Sequence, residues 1–250
     1  MPHKDFTHQP LLCVEVLTDE PTVCQAAASL ASELGLKLLS DLSHVDCRFI
    51  LGVDGSGLSL KDLTQPNVKP LVFSSLKTRP RHRGIDLLAR AIGSKNHSII
   101  DATAGFGHDS FHMLSLGKHV VSIERSPIVA AMLADSARRL ISSRFATSMQ
   151  LVCADSKKWL TQNLSSEVIY LDPMFPDRES RSALARKEDR MLRALVGNDS
   201  DAISLFSIAR AVALRRVVVK RPAWAEPLEA NPSMSYQGRT VRYDVYVTRT

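Results

Sequence analysis

The sequence lacks the features of a membrane-spanning, secreted or metal-binding protein. No apolar run reaches the roughly 18 residues that a membrane-spanning helix needs, and the N-terminus, MPHKDFTHQP, contains no signal-peptide core. The four cysteines, Cys13, Cys24, Cys47 and Cys153, are scattered without a CxxC pair, so neither a metal site nor a disulfide framework is expected. Internal repeats and low-complexity tracts are also missing, which excludes a repeat architecture. We therefore expect a cytoplasmic protein that binds no metal and no membrane.

Positive charge is concentrated in the second part of the chain. The formal net charge is +6; residues 1–80 contain 7 Lys and Arg against 9 acids, whereas residues 81–250 contain the remaining 25 against 17. A basic domain favours polyanionic partners, of which RNA and DNA are the most common. A basic surface that serves only solubility would give the same count, so the charge does not by itself establish a nucleic-acid partner.

The 250 residues are enough for one large domain with a small companion. Near the N-terminus, an apolar strand pattern is followed by a helical pattern from Pro21 to Leu34 and by three short apolar runs. We expect a small N-terminal α/β domain at residues 1–76, a basic linker and helix at 77–96, and the main domain at 97–250. In the main domain strand and helix patterns alternate, which predicts an α/β fold with a doubly wound, mostly parallel sheet.

The main domain begins with a strand, a glycine turn, a helix and a second strand. Ser98 to Thr103 form the first apolar run, Gly105 and Gly107 follow it, and the second run ends on Glu124. Glycines at such a turn let the backbone approach a ligand, and the next helix offers unpaired N–H groups. Glu124 lies nineteen positions after Gly105, close to the spacing at which doubly wound folds present an acid to a ribose hydroxyl. The pattern predicts a nucleoside-containing cofactor.

Two residues favour S-adenosylmethionine over a dinucleotide as that cofactor. Ser110 stands where the dinucleotide fingerprint has its third glycine. Asp101 precedes the glycines, where a carboxylate would repel a pyrophosphate but could accept hydrogen bonds from the cationic methionine group. An NAD-dependent dehydrogenase remains the less favoured alternative.

Four predicted strands end on or next to a carboxylate: Asp101, Glu124, Asp155 and Asp172. Ligands of open α/β sheets bind at the carboxyl ends of the parallel strands, so these acids are expected at one site. We expect Glu124 to bind the ribose hydroxyls, Asp155 the adenine amino group, and Asp101 with the glycine turn to lie near the methionine end. For Asp155 the alternative is a helix N-cap, because Ser156 and a helical pattern follow it.

The DPMFP loop after the fourth strand is the candidate catalytic segment. Asp172 and the carbonyl of Pro173 would supply acceptors for the hydrogens of an exocyclic amine, and Phe175 would supply a plane on which a flipped base stacks. The alternative is a turn that prolines stiffen and whose Phe is buried.

Basic residues lie in the sequence before the first strand of the main domain and after the DPMFP loop, and they are candidate contacts to RNA phosphates. The alternatives are a solvated linker for the first group and a solvated helix face for the second. The candidates are Arg79, Arg81 and Arg83 in the linker, and Arg178, Arg181, Arg186, Lys187 and Arg190 after the DPMFP loop.

Several motifs, in this order, resemble one family. DATAGFGHD, SIERSP, YLDPMFP, the SALxRKExRxxxxLVGxDxD run from Ser182 to Asp201, and RVVVKRP are similar to the bacterial 16S ribosomal RNA guanine-N2 methyltransferase J family over about residues 97–222. The resemblance implies a class I, Rossmann-like, S-adenosylmethionine-dependent methyltransferase that acts on the exocyclic amine of a guanine in 16S ribosomal RNA, free or in the small subunit. It also implies cofactor contacts at His108, Asp109, Glu124, Arg125, Asp155, Ser156 and Asp172. A non-catalytic rRNA-binding or assembly protein on the same fold is the other alternative, and it predicts RNA binding without methyl transfer.

Overall fold

The structure is a computed structural model that describes residues 12–39, 47–65, 67–72, 85–140, 148–163, 165–174, 187–197 and 201–248. Its helices and strands are, in chain order, β1 (Leu12–Val16), α1 (Pro21–Leu34), β2 (Lys37–Leu39), β3 (Phe49–Asp54), β4 (Gly57–Asp62), β5 (Leu71–Val72), α2 (Leu87–Ile92), β6 (Ser98–Asp101), α3 (His108–Ser115), β7 (His119–Glu124), α4 (Pro127–Leu140), β8 (Met149–Cys153), α5 (Ser156–Gln162), β9 (Val168–Leu171), α6 (Lys187–Val196), α7 (Ala202–Val212), β10 (Arg216–Pro222), β11 (Met234–Gln237) and β12 (Val241–Val247). None of the helices in these ranges is long and apolar enough to cross a membrane.

The chain divides into two compact units. The first contains β1 to β5 with α1, and also α6; the second contains the other elements. From the sequence we had expected α6 in the main domain. It groups with the N-terminal unit instead, where Met191 of α6 is buried and lines a cleft together with Arg48 and Asp62.

The first unit is a five-stranded sheet in the order β2-β1-β3-β4-β5. Strand β1 is parallel to β2 and β3, and β4 is antiparallel to β3 and β5. Between β3 and β4, Oδ1 of Asp54 accepts hydrogen bonds from the backbone N–H groups of Ser56 (2.7 Å) and Gly57 (3.1 Å), which closes the hairpin turn DGSG.

The second unit is a seven-stranded sheet in the order β11-β12-β10-β9-β6-β7-β8. The five strands from β10 to β8 are parallel, and β12 runs antiparallel between β10 and β11. The chain goes from β6 outward to β7 and β8, then returns to the other side of β6 for β9 and β10. The order of strands therefore reverses between β6 and β9, and ligands of such sheets bind at the carboxyl ends of the strands there. The predicted doubly wound, mostly parallel sheet is confirmed.

Alternating residues of the central strands form two cores, one on each face of this sheet. In β9, Val168 and Tyr170 pack with residues of α2 and α3, whereas Ile169 and Leu171 pack with residues of α5 and α7. All four side chains are fully buried. A strand buried on both faces reads as a continuous apolar run, which is why the sequence pattern located β9 correctly.

Candidate functional site

The glycine turn between β6 and α3 has a backbone that only glycine tolerates well. Gly105 and Gly107 have φ angles of 53° and 84°, in the left-handed region. A Cβ atom on Gly107 would lie 2.4 Å from Cδ1 of Leu133 and 2.9 Å from Cε2 of Phe111. The turn is therefore packed closely against the core, which fixes the position from which α3 begins at His108.

Glu124, at the end of β7, holds the same turn from the other side. Its carboxylate is buried and accepts hydrogen bonds from the backbone N–H groups of Gly105 (2.9 Å, to Oε2) and Ser126 (2.7 Å, to Oε1). The spacing in the sequence had predicted that Glu124 and Gly105 belong to one site, and the structure brings them into direct contact.

Asp101, at the end of β6, lies beneath the turn and is almost fully buried. Its carboxylate accepts hydrogen bonds from Ser110 Oγ (2.5 Å) and from the backbone N–H of Thr103 (3.2 Å), and Ser122 Oγ donates to Ser110 Oγ (2.8 Å). Burial raises the pKa of Asp101 to about 7; the bond from Ser110 opposes this rise and the negative charge of Asp109 adds to it. Ser110, which argued against a dinucleotide, is thus the partner of Asp101.

Lys220 of β10 contacts two of the candidate site residues and was not predicted from the sequence. Its Nζ lies 2.7 Å from Oδ2 of Asp109 and 2.7 Å from Oδ2 of Asp172, and Asp109 also accepts a hydrogen bond from Tyr170 Oη (2.6 Å). Burial by itself lowers the pKa of Lys220, but the two carboxylates, Asp172 first, raise that pKa well above its usual value. Burial likewise raises the pKa of Asp109, but Lys220 outweighs it and holds that pKa below the usual value. The one sequence signal was a lysine at the end of the apolar run RVVVK, where a charge is rarely buried without a partner.

Asp172 follows β9 directly and is the more accessible of the two carboxylates that Lys220 contacts. Its side chain is 37% exposed, whereas that of Asp109 is 20% exposed. The backbone N–H of Asp172 donates to Thr103 Oγ1 (2.6 Å), which ties the start of the DPMFP loop to the turn after β6. Pro173 is buried, and Phe175 lies outside the described residues.

The remaining predicted cofactor residues make contacts that stabilise the same edge of the sheet. Oδ1 of Asp155 accepts hydrogen bonds from the backbone N–H groups of Lys157 (2.9 Å) and Lys158 (3.2 Å), so Asp155 is the N-cap of α5, as the alternative had predicted. Ser156 Oγ donates to the carbonyl oxygen of Ala102 (2.6 Å). His108 is exposed at the first position of α3.

Arg125, also a predicted cofactor contact, is exposed and takes part in an ionic cluster. Its Nη1 lies 3.6 Å from Oδ1 of Asp201, and the other oxygen of Asp201 lies 2.7 Å from Lys157 Nζ. The cluster links the loop after β7 with the starts of α5 and α7.

The predicted RNA contacts are mostly beyond the described residues. Arg79, Arg81, Arg83, Arg178, Arg181 and Arg186 lie outside them, as does the side chain of Lys187. Arg190 is described and is exposed on α6, where it lines the cleft of the first unit with Arg48 and Lys69.

The chemistry of the strand ends fits S-adenosylmethionine better than a dinucleotide. A pyrophosphate at the start of α3 would meet the carboxylate of Asp109 in the first helical turn, with Asp101 beneath it. Acids at these positions suit the hydroxyl, amino and cationic groups of an aminoacyl nucleoside. Among the described side chains, no three His, Cys, Asp or Glu are grouped in a way that could hold a metal ion.

Comparisons with known proteins agree with this chemistry. A family model described as "Putative SAM-dependent methyltransferase", where SAM is S-adenosylmethionine, matches residues 30–248. Ribosomal RNA small subunit methyltransferase J of Thioalkalivibrio sulfidiphilus is 43% identical over 242 residues, which cover 90% of this chain and 93% of that protein. The protein of the same name from Coxiella burnetii is 37% identical and covers 92% of this chain and 94% of its own. The crystal structure of a SAM-dependent methyltransferase from Neisseria gonorrhoeae has a TM-score of 0.72 at 27% identity, covering 94% of this chain and 95% of that chain.

Proposed function

Because the chain belongs to the ribosomal RNA small subunit methyltransferase J family, whose cofactor is S-adenosylmethionine, we propose that it methylates the exocyclic N2 amine of a guanine in 16S ribosomal RNA. The observation that carries this proposal is the position of Asp172. Its partly exposed carboxylate follows β9, where the order of the strands reverses, and it is held by Lys220. We propose that the protein acts in the cytoplasm, where bacterial ribosomal subunits are assembled.

The cofactor is proposed to bind along the carboxyl ends of β8, β7, β6 and β9. When bound, S-adenosylmethionine supplies a methyl group on a positively charged sulfur, which is open to attack by a nucleophile. Glu124 is proposed to hold the ribose hydroxyls, Asp155 the adenine amino group, and the glycine turn with Asp101 the methionine end. The further proposed contacts in this site are Gly105, Gly107, His108, Asp109, Arg125, Ser156 and Asp172.

Asp172 and Pro173 are proposed to act on the amine. The guanine N2 is a poor nucleophile because its lone pair is delocalised into the ring, so its hydrogens need acceptors as positive charge develops on the nitrogen. The Asp172 carboxylate and the Pro173 carbonyl oxygen would supply these acceptors. Lys220, at 2.7 Å, restrains the position of the Asp172 carboxylate. Phe175 follows within the DPMFP segment, and we propose that it stacks on the flipped base.

RNA phosphates are proposed to bind the basic residues that flank these segments. Arg190 is exposed, which is the position that a phosphate contact requires. The other members of this set are Arg79, Arg81, Arg83, Arg178, Arg181, Arg186 and Lys187.

The proposed function is tested by single-turnover methyl transfer from labelled cofactor to unmethylated 16S rRNA or small subunits, at saturating cofactor. We expect Asp172→Asn, which keeps the size of the side chain and removes its charge, to lower the rate by roughly 10²-fold or more. Asp19→Asn, at an exposed aspartate of the first unit, is the matched control and should keep the wild-type rate.

Two results would contradict the proposal. A wild-type rate in Asp172→Asn would move the catalytic centre away from this loop. Wild-type protein that binds rRNA and cofactor but transfers no methyl group to any guanine would instead support the non-catalytic assembly protein. Mapping the methylated position in the product would identify both the base and the atom.

A further inference from the structure

Trp224 is a half-exposed aromatic side chain in the turn that follows β10. It is one of two tryptophans in the chain, and half of its side-chain surface is accessible. The other, Trp159 of α5, is partly buried and packs against the core beneath the sheet. Single exposed apolar residues are common and need no function. The structure around Trp224, however, holds its backbone in place.

An ion pair between a partly buried arginine and a buried aspartate fixes the turn on both sides of Trp224. Arg242 Nη2 donates to the carbonyl oxygen of Ala225 (2.8 Å), and its Nη1 donates to that of Ala223 (3.4 Å). The guanidinium is itself held by both oxygens of Asp244, at 2.8 Å and 3.0 Å, and Asp244 is almost fully buried. Removing an arginine and an aspartate from water is costly, and here the pair orients two carbonyl groups that flank one exposed indole.

The pairing of the strands places this turn at the same edge of the sheet as Asp172. Strand β10 is parallel to β9, with Val219 opposite Leu171, so Lys220 is level with Asp172. Strand β10 then continues to Pro222, past the last residue of β9, before the turn begins. The backbone N–H of Ala223 is bonded to the carbonyl oxygen of Thr240 (3.0 Å), which keeps this extension in the sheet. Trp224 therefore lies beyond the carboxyl ends of the strands, on the side where the substrate must approach Asp172.

We propose that Trp224 is a stacking platform for an unpaired base of the RNA, next to the guanine that is methylated; this rests on the proposed function. Proteins that read RNA mostly bind single-stranded segments, whose bases stack on aromatic side chains. A half-exposed indole on a fixed backbone suits this role because the turn is already ordered and less conformational entropy is lost on binding. Trp224 would thus position the nucleotides that flank the target, while Asp172 acts on the target itself.

The proposal is tested with four variants: Trp224→Ala, Trp224→Leu, Trp224→Phe and Trp159→Phe. We expect Ala and Leu to raise the KM for rRNA about tenfold or more, Phe to restore most of the loss, and the melting temperature and cofactor affinity to stay at wild-type values. Phe and Leu are both apolar but only Phe has an aromatic plane, so this ordering favours stacking over general apolar contact. In the Trp159→Phe background Trp224 is the one remaining tryptophan. With excitation at a wavelength that tyrosine does not absorb, a short single-stranded oligoribonucleotide should quench its fluorescence.

The outcomes also separate this proposal from the proposed function. If wild-type protein methylates rRNA and Trp224→Ala has an unchanged KM, or if Leu restores binding as well as Phe, stacking by Trp224 is overturned. If wild-type protein transfers no methyl group, the proposed function fails. The stacking platform is still supported in that case if the oligoribonucleotide quenches Trp224 and if Trp224→Leu binds the oligoribonucleotide more weakly. No quenching in that case would overturn it too.

Discussion

Replacing Lys220 with methionine would test how the site holds Asp172. Lys220→Met keeps an unbranched side chain of similar length but removes the ammonium group, which lies 2.7 Å from both Asp109 and Asp172. Removing one partner of a fully buried ion pair costs about 3 to 5 kcal/mol. Here Asp172 is 37% and Lys220 22% exposed, so solvent screens part of the loss, and we expect about 2 to 3 kcal/mol of folding stability to be lost.

The rate of methyl transfer should fall for a separate reason. Without Lys220, the carboxylates of Asp109 and Asp172 repel each other, and we expect Asp172 to move from the position in which it is proposed to accept the hydrogens of the amine. A displacement of about 1 Å in a catalytic group costs on the order of 10²-fold in rate, so we expect a loss between tenfold and a hundredfold at saturating substrates. Lys220→Arg keeps the charge and should recover part of the rate, although the longer fork does not fit the same position.

A buried lysine far from Asp172 along the strands provides the control. Lys118 lies just before β7, at the opposite end of the strands, and its Nζ donates to the carbonyl oxygens of Ser94 (3.1 Å) and Asn96 (2.6 Å). Lys118→Met should also lower stability in urea denaturation but leave the single-turnover rate unchanged. If Lys220→Met transfers methyl at the wild-type rate, Lys220 does not position Asp172. If Lys220→Met and Lys118→Met lower the rate equally, the lower rate results from the loss of folding stability alone.

Two further predictions concern the cofactor side of the site. Glu124→Gln cannot accept two backbone hydrogen bonds with a full charge, so we expect cofactor affinity measured by calorimetry to fall at least about tenfold; a folded variant with unchanged affinity would contradict the assignment. The pKa of Asp101 is about 7 in the folded protein, against an ordinary value of 3.8. Between these two pH values the native state therefore binds more protons than the unfolded state. The free energy of unfolding must then fall as the pH rises from about 4 to 7. Asp101→Asn should remove this component, on the order of 2 kcal/mol between pH 5 and pH 8 in urea titrations, and an identical pH dependence in the two proteins would show that Asp101 does not hold the proton.

The parts of the site that could be predicted from the sequence are those that strand order and short spacing determine. Glu124 follows Gly105 by one helix and one strand, and parallel neighbours must present their carboxyl ends together, so their contact follows from the pattern. Asp172 was identified because a proline loop directly follows a buried strand. The same argument could not decide the role of Asp155, since an acid before a helix serves equally as a cap or as a ligand. The structure shows a cap made by Oδ1, and the contact proposed with adenine would use the other carboxylate oxygen.

The contacts that were missed depend on long separations in sequence or on very short elements. Lys220 is 48 residues from Asp172 and 111 residues from Asp109, and no periodicity in the chain indicates that β10 lies beside β9. Strands β2 and β11 were also missed, because three or four residues at the edge of a sheet show no clear alternation of apolar and polar side chains. Tertiary pairing, rather than local preference, determines both kinds of feature.

The first turn of α3 connects the cofactor side of the site to the acceptor side. Ser110 donates to Asp101 of β6 and accepts from Ser122 of β7, while its neighbour Asp109 contacts Tyr170 of β9 and Lys220 of β10. One helical turn thus links four adjacent strands through side chains that are mostly buried. An apolar packing of similar volume would be as stable or more so, but it would not orient carboxylates. Since Lys220 also binds Asp172, the glycine turn and the start of the proposed catalytic loop are held in one network, which is the fixed geometry that methyl transfer at this loop would require.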